Sequence, residues 1–208
     1  DKRPLGDHRV HFVLGLSGSG KSTLLQQAAS GSYLDRAVAG NALTPTQSCQ
    51  LSFLSTGIAI EISGQHIDPE QDALTCDAGW KKLLNSMAAD LSPDQCAGVI
   101  VCLSVEQLKS QLIGRTHAGL QLARQRINAL MELAQRRLPV YVILTHADRL
   151  DGVDELLSHL SAELLTQPAG ALLPYRSAEA TGYVRRSIDE LARYMPWLAL
   201  RATTQGGH

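Results

Sequence analysis

A glycine-rich run from Gly15 to Ser22 carries the clearest chemical signal in the sequence. It matches the pattern G-x-x-x-x-G-K-S at each fixed position, and it stands between a strand-like and a helix-like stretch. The glycines let the backbone turn so tightly that its N–H groups point at phosphate oxygens, helped by the start of a helix. Lys21 would then reach the β- and γ-phosphates, and the Ser22 hydroxyl would ligate Mg²⁺. The alternative is an ordinary glycine-serine turn with a surface lysine.

The run predicts a cradle for a nucleoside triphosphate, with GTP or ATP and Mg²⁺ as the cofactors. Lys21 is expected to take part in catalysis as well as in binding. The residues predicted to bind the nucleotide at this place are Gly15, Ser17, Gly18, Ser19, Gly20, Lys21, Ser22 and Thr23.

A second stretch, Glu61-Ile62-Ser63-Gly64, lies where phosphate-loop switch proteins carry D-x-x-G. Glu61 keeps the charge of the metal-side aspartate but adds a methylene, and Mg²⁺ demands near-ideal octahedral geometry. Gly64 is retained as the residue that would sense the γ-phosphate. Gln65 follows at the position of the glutamine that orients the attacking water in many GTPases, with His66 either a fallback for that role or a plain loop histidine. The pattern predicts a metal role for Glu61 and a catalytic role for Gln65; a charged strand end followed by a loop is the alternative.

Two threonines, Thr44 and Thr46, lie in the loop where a switch threonine would close over the γ-phosphate and the metal. Threonine is common in loops, so the sequence does not choose between them. Thr46 is the candidate metal ligand.

The run Thr145-His146-Ala147-Asp148 stands where guanine-binding proteins carry N-K-x-D. Asp148 could accept two hydrogen bonds from guanine, and the Thr145 hydroxyl could replace asparagine as a group that fixes the phosphate loop. His146 takes the place of a lysine that packs beside the base. For Asp148 alone, a capping or turn residue is the alternative.

A further three residues, Ser177-Ala178-Glu179, support guanine recognition by their order and spacing relative to Asp148. GTP-binding folds have S-A-K at this place, where a backbone N–H contacts the base. Ser177 and Ala178 are therefore added to the predicted nucleotide site, and GTP is favoured over ATP.

Composition argues against several classes of protein. The formal net charge of -1 over 208 residues argues against nucleic acid as the main partner, because binding the phosphate backbone needs a basic surface. No apolar run approaches the roughly 18 residues that a membrane-spanning helix needs. The four cysteines show no clustered spacing, which favours reduced thiols over a zinc site. The length fits a single domain over residues 1–208, and the start on Asp1 suggests a segment of a longer protein.

Strand-like and helix-like runs alternate along the chain, which predicts an α/β fold with a mostly parallel sheet and helices on both faces. Ligands of such sheets bind at the strand-to-helix loops, where each of the motifs above falls. The predicted strands are Arg9–Leu16, Cys49–Phe53, Gly57–Ile62, Ala97–Leu103, a buried Val140–Leu144 and Leu172–Tyr175. The predicted helices are Lys21–Ala29, Trp80–Ala89, His117–Arg137 with four arginines outside its apolar stripe, Asp154–Leu164 and Tyr183–Tyr194, and Gly64–Asp77 is predicted to be a mobile loop.

On these motifs the chain resembles the cytoplasmic NTPase-like domain of the TssM/IcmF family, an inner-membrane component of type VI secretion systems. The resemblance runs from the phosphate loop to about Leu157. The other matching residues are Thr46 and Cys49, Trp80 with Leu83 and Leu84, Gly98–Ile100 through Leu103–Val105, Ala123–Ile127 with Leu138–Val142, and Thr145–Asp148 with Leu150 and Gly152.

The resemblance implies a P-loop NTPase, GTPase-like domain at the cytoplasmic face of the bacterial inner membrane, anchored through segments outside this chain. It implies as partners other secretion proteins of the inner-membrane complex and its cytoplasmic baseplate. The family's usual D-T-A-G-R is Glu61-Ile62-Ser63-Gly64-Gln65 here, and its T-K-C-D is Thr145-His146-Ala147-Asp148. Both changes fall on nucleotide-handling positions, so they bear more on hydrolysis than on binding.

The expected function is a slow GTPase-like switch in assembly of the secretion membrane complex. The competing class is a scaffold that keeps the fold for protein–protein contacts, with weak or no turnover. The intact run Gly15 to Ser22 favours binding, whereas Glu61 and His146 favour the scaffold. A small-molecule kinase ranks last, because Gly64–Asp77 has no arginine for a lid.

Overall fold

The computed structural model describes residues 8–29, 48–109, 113–158, 160, 170, 182–187, 189, 190 and 193. Its strands are β1 (Val10–Leu14), β2 (Cys49–Leu54), β3 (Gly57–Ile62), β4 (Cys96–Ser104) and β5 (Val140–Thr145). Its α-helices are α1 (Lys21–Ala29), α2 (Ala73–Asp90), α3 (Val105–Lys109), α4 (Ile113–Leu133) and α5 (Val153–Ser158), and residues 182–187 are also helical. Short 3₁₀ turns span Gly64–Ile67, Pro93–Gln95 and Ala147–Arg149.

The five strands form one sheet in the order β2-β3-β1-β4-β5. Four of them are parallel, with β1 at the centre between β3 and β4, and β2 runs antiparallel to β3. Parallel strands bring their carboxyl ends to one edge, so the loops after β1, β3, β4 and β5 meet there. The predicted mostly parallel α/β fold of the P-loop NTPase, GTPase-like class is confirmed.

Helices cover both faces of the sheet, because successive strand residues point to opposite sides. On β1, Phe12 packs in the cluster that holds Trp80 of α2 and Leu130 of α4. The next residue, Val13, packs in a smaller cluster with Leu25 of α1. The two clusters lie on opposite faces of the sheet, so helices, sheet and helices form the predicted three layers.

The segment from Gly64 to Asp77 is not the aperiodic loop that its polar sequence predicts. It forms the 3₁₀ turn Gly64–Ile67, and α2 begins at Ala73. Asp72 caps that helix, since its Oδ2 accepts hydrogen bonds from the backbone N–H of Thr75 at 2.9 Å and from the Thr75 hydroxyl at 2.6 Å. The first two turns of this helix bury no side chain, so they carry no apolar stripe that a search for periodicity could find.

Helix α4 departs from the sequence prediction in bounds and in orientation. It spans Ile113–Leu133, and Gln135 beyond it has a φ of 52°. Arg126 is buried, so the prediction of four arginines outside the apolar stripe is wrong. The spacing explains the error, because Arg126 lies between Ala123 and Leu130 on the buried face.

Strand β5 is present, but the prediction that it is buried is wrong. Val142 and Leu144 expose 61% and 58% of their surface. In the described part of the chain β4 is the strand that pairs with β5, so β5 lies at the edge of the sheet.

The chain divides into two compact units, Asp1–Ala147 and Asp148–His208. The sheet and the phosphate loop lie in the first unit, and α5 lies in the second. A single domain over 1–208 stays a prediction. The described helices include none with the length and hydropathy that a bilayer-spanning segment requires.

Candidate functional site

The loop Gly15–Gly20 joins the central strand β1 to α1, as the sequence predicts. Gly18 and Gly20 have φ values of 75° and 77°, in the left-handed region that favours glycine. The N–H of Ser19 donates to the Leu16 carbonyl at 3.1 Å and closes the turn. The loop thus has the tight backbone that a phosphate cradle needs.

Lys21 is the first residue of α1, and its ammonium group lies in the loop. Its Nζ donates to the carbonyls of Gly15 at 2.9 Å and Leu16 at 3.1 Å. An ammonium has three N–H donors, so a further one is available for a phosphate oxygen. Burial lowers the pKa of Lys21, and the negative charge of Glu61 opposes that shift.

Cys102 of β4 lies directly behind the loop. A Cβ on Gly15 would stand 2.7 Å from the Cys102 carbonyl oxygen and 3.3 Å from its Cβ, so strand and loop are in close contact. Burial raises the pKa of the Cys102 thiol to about 11.

Ser22 and Glu61 meet beside Lys21. The Ser22 hydroxyl donates to Oε1 of Glu61 at 2.7 Å, although the two residues are 39 positions apart in sequence. Glu61 is buried near the end of β3, where it pairs in register with Val13 of β1. The longer side chain therefore does reach the serine. A hydroxyl and a carboxylate are oxygen ligands of the kind that Mg²⁺ takes, so the donor set fits the metal. Thr44 and Thr46 lie outside the described residues.

Gly64 packs directly on the phosphate loop. A Cβ at this position would stand 2.7 Å from Oγ of Ser17 and 2.8 Å from the carbonyl carbon of Leu16. Residues with a side chain therefore do not fit here without displacing the loop. The turn Gly64–Ile67 thus lies against the loop on the side where a γ-phosphate sensor is predicted.

The two residues after Gly64 differ in exposure. Gln65 is exposed, as a residue that orients a water molecule would have to be. His66 is buried, and its ring lies 6.0 Å from that of Trp80 on α2. Burial and the adjacent Arg126 lower the pKa of His66. The interpretation of His66 as a plain loop histidine is wrong, because α2 packs over it.

Substituting Gly64 by alanine should damage the loop, because the added methyl collides with Ser17. We expect triphosphate affinity to fall roughly tenfold, in line with the 1–3 kcal/mol cost of overpacking. Calorimetric titration of the folded variant would measure it. Gly114→Ala is the matched control, since nothing lies within 4 Å of a Cβ at that exposed helical position. Equal affinities in the two variants would contradict the close contact.

The end of β5 also contacts the phosphate loop. The Thr145 hydroxyl donates to the Ser19 carbonyl at 2.8 Å, with the Leu103 carbonyl at 3.2 Å as a second acceptor. The predicted tie between Thr145 and the loop is therefore present, and its part in reading the base stays a prediction. His146 has a φ of 56°, and its Nδ1 lies 3.0 Å from the Ser104 hydroxyl.

The described structure does not test the remaining predicted base-reading residues. Asp148 is exposed in the short turn Ala147–Arg149 and belongs to the second unit. Ser177 and Ala178 lie outside the described residues. Thr23, predicted to bind phosphate, is exposed on α1.

Sequence reasoning missed one residue that reaches the site from the helices after β4. Nε2 of Gln107 on α3 donates to the Ser17 carbonyl at 3.0 Å. The backbone carbonyl of Gln107 accepts a hydrogen bond from the Thr116 hydroxyl of α4 at 3.1 Å, so α4 is linked to the loop through Gln107. The available signal was position, because Gln107 follows the carboxyl end of β4, next to β1.

Comparison with known proteins gives one family and one curated relative. The model of the IcmF-related N-terminal domain matches residues 76–202. The type VI secretion system component TssM1 of Pseudomonas aeruginosa is 26% identical over 190 residues. That alignment covers 86% of this chain and 17% of the relative, so the chain corresponds to a small part of the longer protein.

Two solved structures are similar to this chain at low identity. A probable GTP-binding protein engB is 14% identical, with a TM-score of 0.33. The match covers 72% of this chain and 95% of the engB chain. The small COPII coat GTPase SAR1 of Encephalitozoon cuniculi, in complex with GDP, is 13% identical, with a TM-score of 0.31 over 68% and 71%. The fold class follows from the strand order and the loop after β1, and the likeness bears on neither the site nor its ligand.

The family model covers residues 76–202 of the 208, well over half of the chain. Within that span lie most of α2 and all of β4, α4 and β5, which build one side of the loop's surroundings. This protein belongs to the family of IcmF-related N-terminal domains.

Proposed function

We propose that this domain binds a nucleoside triphosphate with Mg²⁺, prefers GTP to ATP, and hydrolyses it slowly as a switch. The observation that carries the proposal is the arrangement of Lys21, Ser22 and Glu61. The ammonium group lies in the glycine loop, and the serine hydroxyl contacts a buried carboxylate at 2.7 Å. Lys21 and Glu61 are both buried, and phosphate and a metal ion are the ligands that a buried ammonium and a buried carboxylate would fit.

Each residue has a separate task in this proposal. Held by Ser22 and Glu61, Mg²⁺ would supply positive charge that offsets the charge on the phosphate oxygens. Ser22 and Glu61 hold the metal, and Lys21 and the loop N–H groups hold the phosphates. Gly64 senses the γ-phosphate, and the exposed Gln65 orients the attacking water.

The cellular role rests on the family and is part of the same proposal. The chain aligns with 17% of a type VI secretion component. We propose that it works at the cytoplasmic face of the bacterial inner membrane, joined to the membrane by segments outside this chain. Its partners would be other secretion proteins of the membrane complex and its cytoplasmic baseplate, and not nucleic acid.

The experiment that tests binding is calorimetric titration with GTP, ATP and their diphosphates, with and without Mg²⁺. The proposal expects saturable triphosphate binding that weakens when the metal is removed. Absence of heat with every nucleotide, in a protein whose melting is cooperative, would overturn it.

Base preference is a separate prediction, which rests on Asp148. A site that pairs buried polar groups with its ligand can reject an analogue by up to roughly 10⁴-fold. With His146 in place of lysine we expect a GTP preference far below that, and Asp148→Ala should abolish it. Competition of ATP against labelled GTP measures the preference, and Asp154→Ala is the control because Asp154 is also exposed. Equal competition by ATP, unchanged in Asp148→Ala, would refute guanine recognition.

One observation favours a scaffold as the second candidate. His146 stands in the place of the lysine that packs beside the base. Its ring lies within hydrogen-bond distance of Ser104 at the end of β4, so the ring is engaged by the protein itself. A scaffold would keep the fold and the loop while losing base recognition. Bound nucleotide with no hydrolysis would favour this candidate over the switch.

A further inference from the structure

The turn Gly64–Ile67 is held from α4 by a buried arginine. Arg126 exposes 6% of its surface. Its Nε donates to the His66 carbonyl at 3.0 Å, and its Nη2 lies 2.6 Å from Oδ1 of Asp77. The guanidinium also stands 5.3 Å from the Trp80 ring centre, a distance typical of cation–π contact. One side chain thus joins the turn, the first part of α2 and α4.

Two more residues of α4, Arg115 and Gly119, lie against the turn and the residues that follow it. Arg115 binds Asp68 through two nitrogens, at 3.2 and 2.6 Å, and reaches Glu70 at 2.9 Å. Gly119 lies between the two arginines in sequence, and a Cβ added to it would stand 3.1 Å from the Ile67 carbonyl oxygen. Both arginines therefore lie on the helix face that packs on the turn.

The position of Gly64 depends on these contacts. Gly64 is the first residue of the turn, and its own backbone touches the loop at Ser17. Nε of Arg126 donates to the carbonyl two residues further on, while Nη2 is held by Asp77. A charged donor on a rigid, anchored guanidinium fixes a backbone group more firmly than a neutral hydrogen bond does.

We infer that Arg126 is a positioning residue, which holds the turn against the phosphate loop and so determines how far the domain prefers a triphosphate to a diphosphate. The inference rests on the proposed function. A diphosphate lacks the group that Gly64 would contact, so its affinity does not depend on the turn. Triphosphate affinity falls in proportion to the fraction of molecules in which the turn is in place.

The test compares Arg126→Gln with the wild type by calorimetric titration of a non-hydrolysable GTP analogue and of GDP. We expect the analogue to bind roughly tenfold more weakly and GDP to bind within about twofold of the wild type. Arg126→Lys keeps the charge but loses the fork, so it should restore part of the difference. Arg124→Gln is the matched control, because Arg124 is exposed on the same helix and should change neither affinity.

The outcomes separate this inference from the proposed function. Equal losses for the analogue and GDP would make Arg126 merely structural and overturn the inference, as would no change in either. A wild type that binds no nucleotide would overturn the proposed function itself. If Arg126→Gln does not fold, two other variants are used. Asp77→Asn removes the carboxylate that pairs with Arg126, and Arg115→Gln removes the cation that pairs with Asp68; the two side chains are 58% and 33% exposed. Both should lower the ratio of analogue to GDP affinity, and an unchanged ratio in both would refute the inference.

Discussion

Replacing Lys21 by alanine should abolish triphosphate binding, with a loss of at least about thirtyfold in affinity. Removing one partner of a buried, hydrogen-bonded charge pair costs about 2–5 kcal/mol, which corresponds to roughly thirty- to several-thousandfold. The fold should persist, since the Lys21 Nζ bonds two carbonyls of the loop and not the core. Titration calorimetry gives the affinity, and circular dichroism with thermal melting reports the fold.

The control for this variant is Lys82→Ala, because Lys82 is exposed on α2. It removes the same charge from the same unit and should bind like the wild type. A folded Lys21→Ala variant with unchanged affinity would contradict the assignment of Gly15–Ser22 as the phosphate site.

The second large effect concerns the rate of hydrolysis. Phosphoryl transfer depends on placing water, metal and counter-charge around the γ-phosphate. Here the two arginines nearest the turn, Arg115 and Arg126, are paired with carboxylates of the segment after β3. Switch GTPases without an arginine at the γ-phosphate turn over at about 10⁻⁴ to 10⁻³ per second, and a supplied one adds roughly 10³- to 10⁵-fold. We expect the isolated domain to work in the slow range or below it.

Single-turnover hydrolysis by the wild type, Gln65→Ala and Glu61→Asp tests this expectation. Gln65→Ala should lose most of the remaining rate, with Gln125→Ala, exposed on α4, as its control. A wild-type rate near one per second would rule out the slow switch. Faster turnover in Glu61→Asp would show that the extra methylene misplaces the metal, and slower turnover would show that the bond to Ser22 matters more. Bound nucleotide without hydrolysis in every variant would favour the scaffold.

The phosphate loop and the sheet could be predicted because their signals are local. The run Gly15–Ser22 specifies its own turn, and alternating apolar runs specify strands whose parallel order brings the loops together. The contact between Ser22 and Glu61 follows from that order, since β3 lies next to β1.

The arginine contacts could not be predicted in the same way. Arg126 and Asp77 are 49 positions apart, and a charged residue on an amphipathic helix is ordinarily assigned to its solvent face. Its burial depends on the partners that α2 and the turn bring to it. The start of α2 was missed because its evidence is the Asp72 cap and not an apolar period. The exposure of β5 depends on its place as the outermost of the described strands.

The buried thiol behind the loop has a consequence for chemical attack. Oxidants and alkylating reagents react with the thiolate, and a group with a pKa of about 11 is ionised in roughly one molecule in ten thousand at neutral pH. Cys102 should therefore stay reduced while exposed Cys49 is modified. Oxidative damage to the cysteines of this domain would begin at its surface and leave the strand behind the loop intact.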